Sequence, residues 1–124
     1  DILRRLPAST ILPHPTGIVI AGGCEIGENV QINQNVTLGT TPEEEYPIIE
    51  DDVTLYAHSA VIGEVTVGEG SVVGANATVI EDVPPNTLVA GNPAEVTKFN
   101  CRRNSCPSCL AHCAHTSSVP SFLP

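Results

Sequence analysis

The chain has 124 residues, enough for one domain with a modest core, and no apolar run approaches the ~18 residues of a membrane-spanning helix. Its net charge is −9, and none of its five cationic side chains lies between residues 6 and 97, which argues against binding of nucleic acid or of an anionic membrane surface. Because no signal-peptide pattern is visible either, the sequence predicts a cytoplasmic protein.

A short lead-in, residues 1–10, precedes the stretch HPTGIVI at residues 14–20, and from Ile20 the sequence repeats every six residues. The first position of each hexad is aliphatic, the second is often glycine, and the fifth is small or β-branched. The first positions are Ile20, Ile26, Ile32, Leu38, Ile49, Leu55, Val61, Val67, Val73 and Val79. The fifth positions are Cys24, Val30, Val36, Val53, Ser59, Val65, Ser71, Ala77 and Val83. A helical period of 3.6 residues fits none of this pattern.

The hexads predict an all-β fold over residues 11–97, a single-stranded parallel β-helix. Each hexad supplies a short strand and a turn, and three hexads complete a triangular coil. First-position side chains are expected to point inward and to stack on the coils above and below, since neighbouring coils must cover one another. Small fifth-position residues fit near the corners, and Gly and Asn tolerate the dihedral angles of the turns.

The repeat is interrupted between Leu38 and Ile49 by a segment containing TTPEEEYPI. Its two prolines, three glutamates and tyrosine are not expected to stack inside a coil. We therefore predict a projecting loop over residues 40–48. Long loops on rigid scaffolds often carry function, although a harmless insertion would give the same pattern.

The repeat ends within VPPNTLVAGNPAEV, residues 83–96, where prolines stop regular stacking. Residues 98–124 are rich in Cys, Ser, Pro and His and predict a disordered extension. The four cysteines of this segment have neighbouring histidines and resemble a zinc-binding arrangement. Their spacing matches no known zinc finger, so we expect no metal. These residues are Cys101, Cys106, Cys109, Cys113, His112 and His115.

Three stretches resemble the hexapeptide-repeat acyltransferases, most closely serine O-acetyltransferases and their relatives in polysaccharide gene clusters. They are HPTGIVI at residues 14–20, QNVTLGT at residues 34–40, and the run from residue 63 to residue 96. The resemblance implies a left-handed β-helix, a homotrimer, and acetyl-CoA bound as co-substrate in a groove between adjacent subunits.

The same resemblance implies roles for individual residues. His14 would be the general base that deprotonates the acceptor hydroxyl for direct attack on the thioester, because an imidazole exchanges protons near neutral pH. Glu45 and Tyr46 in the loop would contact the acceptor. The residues expected to contact the co-substrate are Gly39, Thr40, Ala57, Gly74, Ala75, Asn92 and Lys98.

Two positions depart from the serine acetyltransferase pattern. Pro13 stands where those enzymes have an Asp beside the His, and Tyr46 stands where they have a second active-site His. The acceptor therefore stays open between serine and a sugar or polysaccharide precursor, and a non-catalytic paralogue is a further alternative. A zinc lyase like the β-helical carbonic anhydrases would need three histidines per metal, whereas the repeat region has His14 and His58. We expect His58 to be a solvated corner residue and Cys24 to be buried.

Overall fold

The computed structural model describes residue 2 and residues 5–99 of the chain. That part contains no α-helix and twelve short β-strands. In chain order the strands are β1 (Val19–Ile20), β2 (Glu25–Ile26), β3 (Gln31–Ile32), β4 (Thr37–Gly39), β5 (Ile48–Ile49), β6 (Thr54–Leu55), β7 (Ala60–Ile62), β8 (Thr66–Val67), β9 (Val72–Val73), β10 (Thr78–Val79), β11 (Thr87–Ala90) and β12 (Glu95–Phe99).

The strands form three sheets, one on each face of a triangular coil. Sheet 1 contains β1, β4, β7 and β10, sheet 2 contains β2, β5 and β8, and sheet 3 contains β3, β6, β9, β11 and β12. All strand pairs are parallel except the pair of β11 with β12. Each turn of the chain visits sheets 1, 2 and 3 in that order. The fold is a left-handed parallel β-helix, which confirms the prediction.

Strand register gives the length of each coil. Val19 pairs with Thr37, and Ala60 pairs with Thr78, so these coils contain 18 residues. Thr37 pairs with Ala60 across the loop, so the extra residues leave the strand register intact. The insertion is therefore confined to one corner of one coil.

The core is the column of side chains inside the coils. Nine first-position side chains are buried, Ile26 is half-buried, and all nine fifth-position side chains are buried. Cys24 is among them, with its Sγ 3.7 Å from the carbonyl oxygen of Leu38. The inward direction of both positions is thus confirmed.

Gly and Asn have different roles in the turns, although both were predicted to serve the turn dihedral angles. Six of the nine fourth-position residues take a positive φ, including Asn35 at 59° and Asn76 at 63°. The glycines at second positions do not. At Gly68 a Cβ would lie 2.5 Å from the nitrogen of Pro85 in the next coil. Glycine is needed there because the neighbouring backbone approaches closely, and not because of the turn dihedral angles.

Three corners join the sheets, and each is a column of turns. The 3–1 corner comprises residues 12–18, 33–36, 56–59 and 74–77, which join sheets 3 and 1, and residues 91–94, which join β11 to β12 and stack on the same column. The 1–2 corner comprises residues 21–24, 40–47, 63–65 and 80–82. The 2–3 corner comprises residues 27–30, 50–53, 68–71 and 84–86.

The last strand reverses direction. β12 pairs antiparallel with β11 at the end of sheet 3 and reaches Phe99, two residues past the boundary predicted at residue 97. Lys98 therefore lies in a strand. The predicted disorder of the tail and its cysteines and histidines lie outside the described residues. No helix among the described residues is long and apolar enough to span a membrane.

Replacing Leu55 by Ala tests the stacked core. Leu55 is fully buried, and its strand pairs place it between Ile32 and Val73 in the adjacent coils. Removing its branched end should leave a cavity and lower the free energy of unfolding by about 2–5 kcal/mol, measured by urea denaturation. Val96→Ala, at a residue 43% exposed on β12, should change that free energy by less than about 0.5 kcal/mol. Equal effects would contradict the stacked core.

Candidate active site

His14 lies in the first turn of the 3–1 corner, and its side chain is exposed. The hexad register places it six residues before Ile20, at a first position, but the side chain is not inside the coil. The turn is held by backbone hydrogen bonds: the N–H of Thr16 donates to the carbonyl oxygen of His14 (2.7 Å), and the N–H of Asn35 donates to that of Thr16 (2.9 Å). The backbone at His14 is therefore held in place, while its imidazole is accessible to solvent.

Asn35 connects the turns below His14. Gly17 has a φ of +69°, and the Oδ1 of Asn35 occupies the place where a Cβ of Gly17 would lie. On its other side the Nδ2 of Asn35 lies 3.5 Å from the Nε2 of His58, whose ring is exposed. Asn35 was not predicted to be a site residue. Its signals were a left-handed turn position and its place within the QNVTLGT motif.

A row of backbone N–H donors runs down the same corner. Gln34, Ala57 and Ala75 occupy equivalent third positions in successive coils, and within the described residues their N–H groups have no hydrogen-bond partner. All three residues are half-buried. Ala57 and Ala75 were predicted to contact the co-substrate, whereas Gln34 was missed. The Oε1 of Gln34 is also buried without a partner.

Two of the equivalent N–H groups of the 2–3 corner, those of Glu28 and Glu69, are occupied. There the N–H of Glu28 donates to the Oδ1 of Asp51 (2.8 Å), and the N–H of Glu69 donates to the Oε1 of Glu50 (3.1 Å). Carboxylates of the neighbouring coil thus satisfy these two donors, whereas the 3–1 corner contains no carboxylate that could do the same.

Charge separates the corners as well. The five segments of the 3–1 corner contain no Asp, Glu, Lys or Arg, although the chain has 14 acidic residues. The 2–3 corner carries five carboxylates, and the 1–2 corner carries six. A negatively charged ligand would meet the least electrostatic repulsion along the 3–1 corner.

Three further residues predicted to contact the co-substrate, Gly74, Asn92 and Lys98, lie in different parts of the β-helix. Gly74 is buried, and both its backbone groups are occupied: its N–H donates to Val89 (2.9 Å), and its carbonyl oxygen accepts from Ala77 (3.2 Å). Asn92 is exposed in the last turn of the 3–1 corner, before a cis peptide bond to Pro93. Lys98 lies on β12 opposite Leu88, at the end of the β-helix remote from His14.

Gly39, Thr40, Glu45 and Tyr46 lie at the 1–2 corner, in or beside the loop. Since Ile48 begins β5, the loop covers residues 40–47. The loop closes on itself, because the N–H of Glu44 donates to the carbonyl oxygen of Thr41 (2.9 Å) and the Oγ1 of Thr41 donates to the Oε1 of Glu45 (3.2 Å). Thr40 and Glu45 are exposed.

The prediction that no loop residue packs inward was wrong at two positions. Tyr46 is half-buried against the core, and Pro47 is buried. The ring of Tyr46 covers Gly23, where an added Cβ would lie 2.5 Å from the ring. The reason is the missing side chain at Gly23, which leaves a flat surface that an aromatic ring fills.

The two groups of residues lie at opposite ends of the sheet 1 strands. His14, Ala57, Ala75 and Asn92 are at one end, and the loop is at the other. About four residues of extended strand separate the two ends, which corresponds to about 13 Å. One copy of the chain therefore does not bring His14 and the loop to the same small ligand. Within the described residues, no three His, Cys, Asp or Glu side chains are placed to hold a metal ion.

Residues 46–81 match the family model described as bacterial transferase hexapeptide (six repeats). The chain is a hexapeptide-repeat protein. It is 42% identical over 102 residues to the serine acetyltransferase of Bacillus subtilis (strain 168), an alignment that covers 76% of the chain and 47% of the relative. It is 39% identical to serine acetyltransferase 4 of Arabidopsis thaliana, over 77% of the chain and 28% of the relative. The resemblance drawn from the sequence motifs is confirmed, and the chain spans about half the length of the bacterial relative.

Solved structures give the same result. Soybean serine acetyltransferase complexed with serine superimposes with a TM-score of 0.69 at 40% identity, covering 71% of this chain and 37% of that one. The serine acetyltransferase of Brucella abortus strain S19 in complex with coenzyme A gives a TM-score of 0.70 at 33% identity, covering 74% of this chain and 38% of that one. The hexapeptide-repeat region of such enzymes is the part that this chain shares.

Tyr46 variants test how the loop is held. Tyr46→Ala should uncover Gly23, lower the free energy of unfolding by about 1–2 kcal/mol and speed cleavage by a glutamate-specific protease at residues 43–45. Tyr46→Phe keeps the ring and should change that free energy by less than about 0.5 kcal/mol. Urea denaturation and cleavage rates provide the readout. Cleavage of Tyr46→Ala at the original rate would show that the ring does not hold the loop.

Proposed function

We propose that the chain is an acetyl-CoA-dependent O-acetyltransferase in which His14 is the general base. The observation that carries the proposal is the 3–1 corner, which is free of charged residues and has open N–H donors below an accessible imidazole. The similarity of the chain to serine acetyltransferases, one of them in complex with coenzyme A, supports the reaction class.

The 3–1 corner suits the shape and charge of acetyl-CoA. The pantetheine arm carries two amide carbonyl groups, which accept hydrogen bonds from N–H groups such as those of Gln34, Ala57 and Ala75. Adjacent coils are about 4.8 Å apart, so these donors form a line along which an extended arm can lie. With the thioester near His14, the nucleotide would extend toward Asn92 and the last coils, where Lys98 lies on β12.

The chemistry then requires one proton carrier. The imidazole of His14 takes the proton of the acceptor hydroxyl as its oxygen attacks the thioester carbonyl. The tetrahedral intermediate collapses with cleavage of the carbon–sulfur bond, and the imidazolium returns the proton to the departing thiolate. No covalent intermediate with the protein is needed.

A homotrimer would complete the site. The outward residues of sheet 1 are uncharged, and two of its large apolar side chains, Val19 and Ile80, are 43% and 55% exposed. A second copy packed against this face would bring its own 1–2 corner, with Gly39, Thr40 and the loop, toward His14 of the first. Glu45 and Tyr46 of one copy would then face an acceptor held by the other.

Replacing His14 by Asn tests the base. The variant should lose acceptor-dependent thiol release from acetyl-CoA by about 100- to 10,000-fold while coenzyme A still binds. His58→Asn is the matched control, because Asn tolerates the φ of 64° found at His58, and it should keep most of the activity. Full activity in His14→Asn would refute the assigned base, and a chain that neither binds coenzyme A nor releases thiol would support the non-catalytic alternative.

Mixed assemblies test the shared site. Thr40→Trp should block the exposed 1–2 corner without touching the core, and His14→Asn removes the base at the 3–1 corner. Co-expressing the two inactive chains should restore about one quarter of the unmodified activity, because random assembly brings intact halves together at that frequency. A site contained within one copy predicts no recovery, and each variant expressed alone sets the background.

A further inference from the structure

We propose that the acceptor is an alcohol without a carboxylate, namely a neutral or amino-bearing polyol, and not a free amino acid such as serine. The inference rests on the proposed function and assigns the substrate class of that site. It comes from the charges that the fold places around His14 and the loop.

The first observation is the lack of cations. Residues 6–97 contain no Lys or Arg, and because every copy in a homo-oligomer has the same sequence, a neighbouring copy adds none from this region. A buried or partly buried carboxylate needs a cation or several hydrogen-bond donors to offset its lost hydration. The open N–H donors of the 3–1 corner are the ones that the co-substrate would use.

The cations that do exist among the described residues lie elsewhere. Arg5 lines a surface cavity of about 560 Å³ with Ile26 and Glu28, beside sheet 2 and the 2–3 corner. Lys98 lies on β12, five strand spacings from the level of His14, which is about 24 Å along the axis. Neither is placed to meet a carboxylate held between His14 and a loop.

The second observation is the charge that the loop does bring. Glu43, Glu44 and Glu45 are exposed and adjacent, and Thr41 fixes one oxygen of Glu45. Glu64, Glu81 and Asp82 lie in the same 1–2 corner. Packed against the 3–1 corner of a neighbour, this surface repels an anionic acceptor and attracts hydroxyl or ammonium groups, which donate hydrogen bonds to carboxylates.

The experiment compares L-serine with L-serinamide, which keeps the hydroxyl and ammonium groups and lacks the carboxylate. Methyl β-D-glucopyranoside serves as a neutral polyol. Thiol release from acetyl-CoA gives the rates. Removal of the acetyl group from the product by hydroxylamine confirms that the product is O-acetylated. We expect kcat/KM for serinamide to exceed that for serine by at least about tenfold, with the glycoside also acetylated.

A charge-reversal variant tests the cause. Glu45→Arg should reduce the preference for serinamide over serine by about tenfold, because a cation then faces the carboxylate. Glu25→Arg, an exposed position on β2 in sheet 2, changes the net charge equally and should leave the preference unchanged.

The outcomes separate this inference from the function on which it rests. A preference for serine over serinamide that still depends on His14 overturns the inference and leaves the acetyltransferase intact. Equal shifts in Glu45→Arg and Glu25→Arg also overturn it, since net charge alone would then explain the effect. No acceptor-dependent release with any of the three alcohols counts against both.

Discussion

Every part of the molecule depends on one constraint: a coil of the β-helix buries its interior only against the coil above and the coil below. A hexad has one inward aliphatic side chain and one small one, too little to form a core alone. Stacking turns these pairs into a continuous column and fixes the register of each corner. Residues 18 positions apart thereby become neighbours, as Ala60 and Thr78 do, and the turns of one corner form a straight line along which a long ligand can bind.

The fold follows from the sequence because this constraint is periodic. The first and fifth positions were predicted from spacing alone, and the structure buries all of them except Ile26, which is half-buried. The structure differs from the prediction where the hexad repeat begins or is interrupted. His14 keeps the register but has prolines on both sides, and its side chain is exposed. Tyr46 packs inward because Gly23, distant in sequence, leaves room for its ring.

The candidate site was predictable only in part. Ala57 and Ala75 came from resemblance to known enzymes, and in the structure their N–H groups have no hydrogen-bond partner among the described residues. Gly74 was expected to contribute in the same way, yet the last coil occupies its N–H. Gln34 and Asn35 were missed because their role depends on the coils stacked above and below, which a single hexad does not reveal. The separation of His14 from the loop also became visible only once the corners were assigned.

The reversal of the last strand limits how the molecule can grow. A parallel β-helix leaves unpaired N–H and carbonyl groups at its end, and a further coil, from the same chain or another molecule, could add there. β12 fills that edge in the opposite direction, so sheet 3 no longer offers a parallel template. A further coil of this β-helix would therefore have to enter upstream of β11, and a second molecule that stacks on this end of sheet 3 would meet β12 instead of the parallel edge of β11.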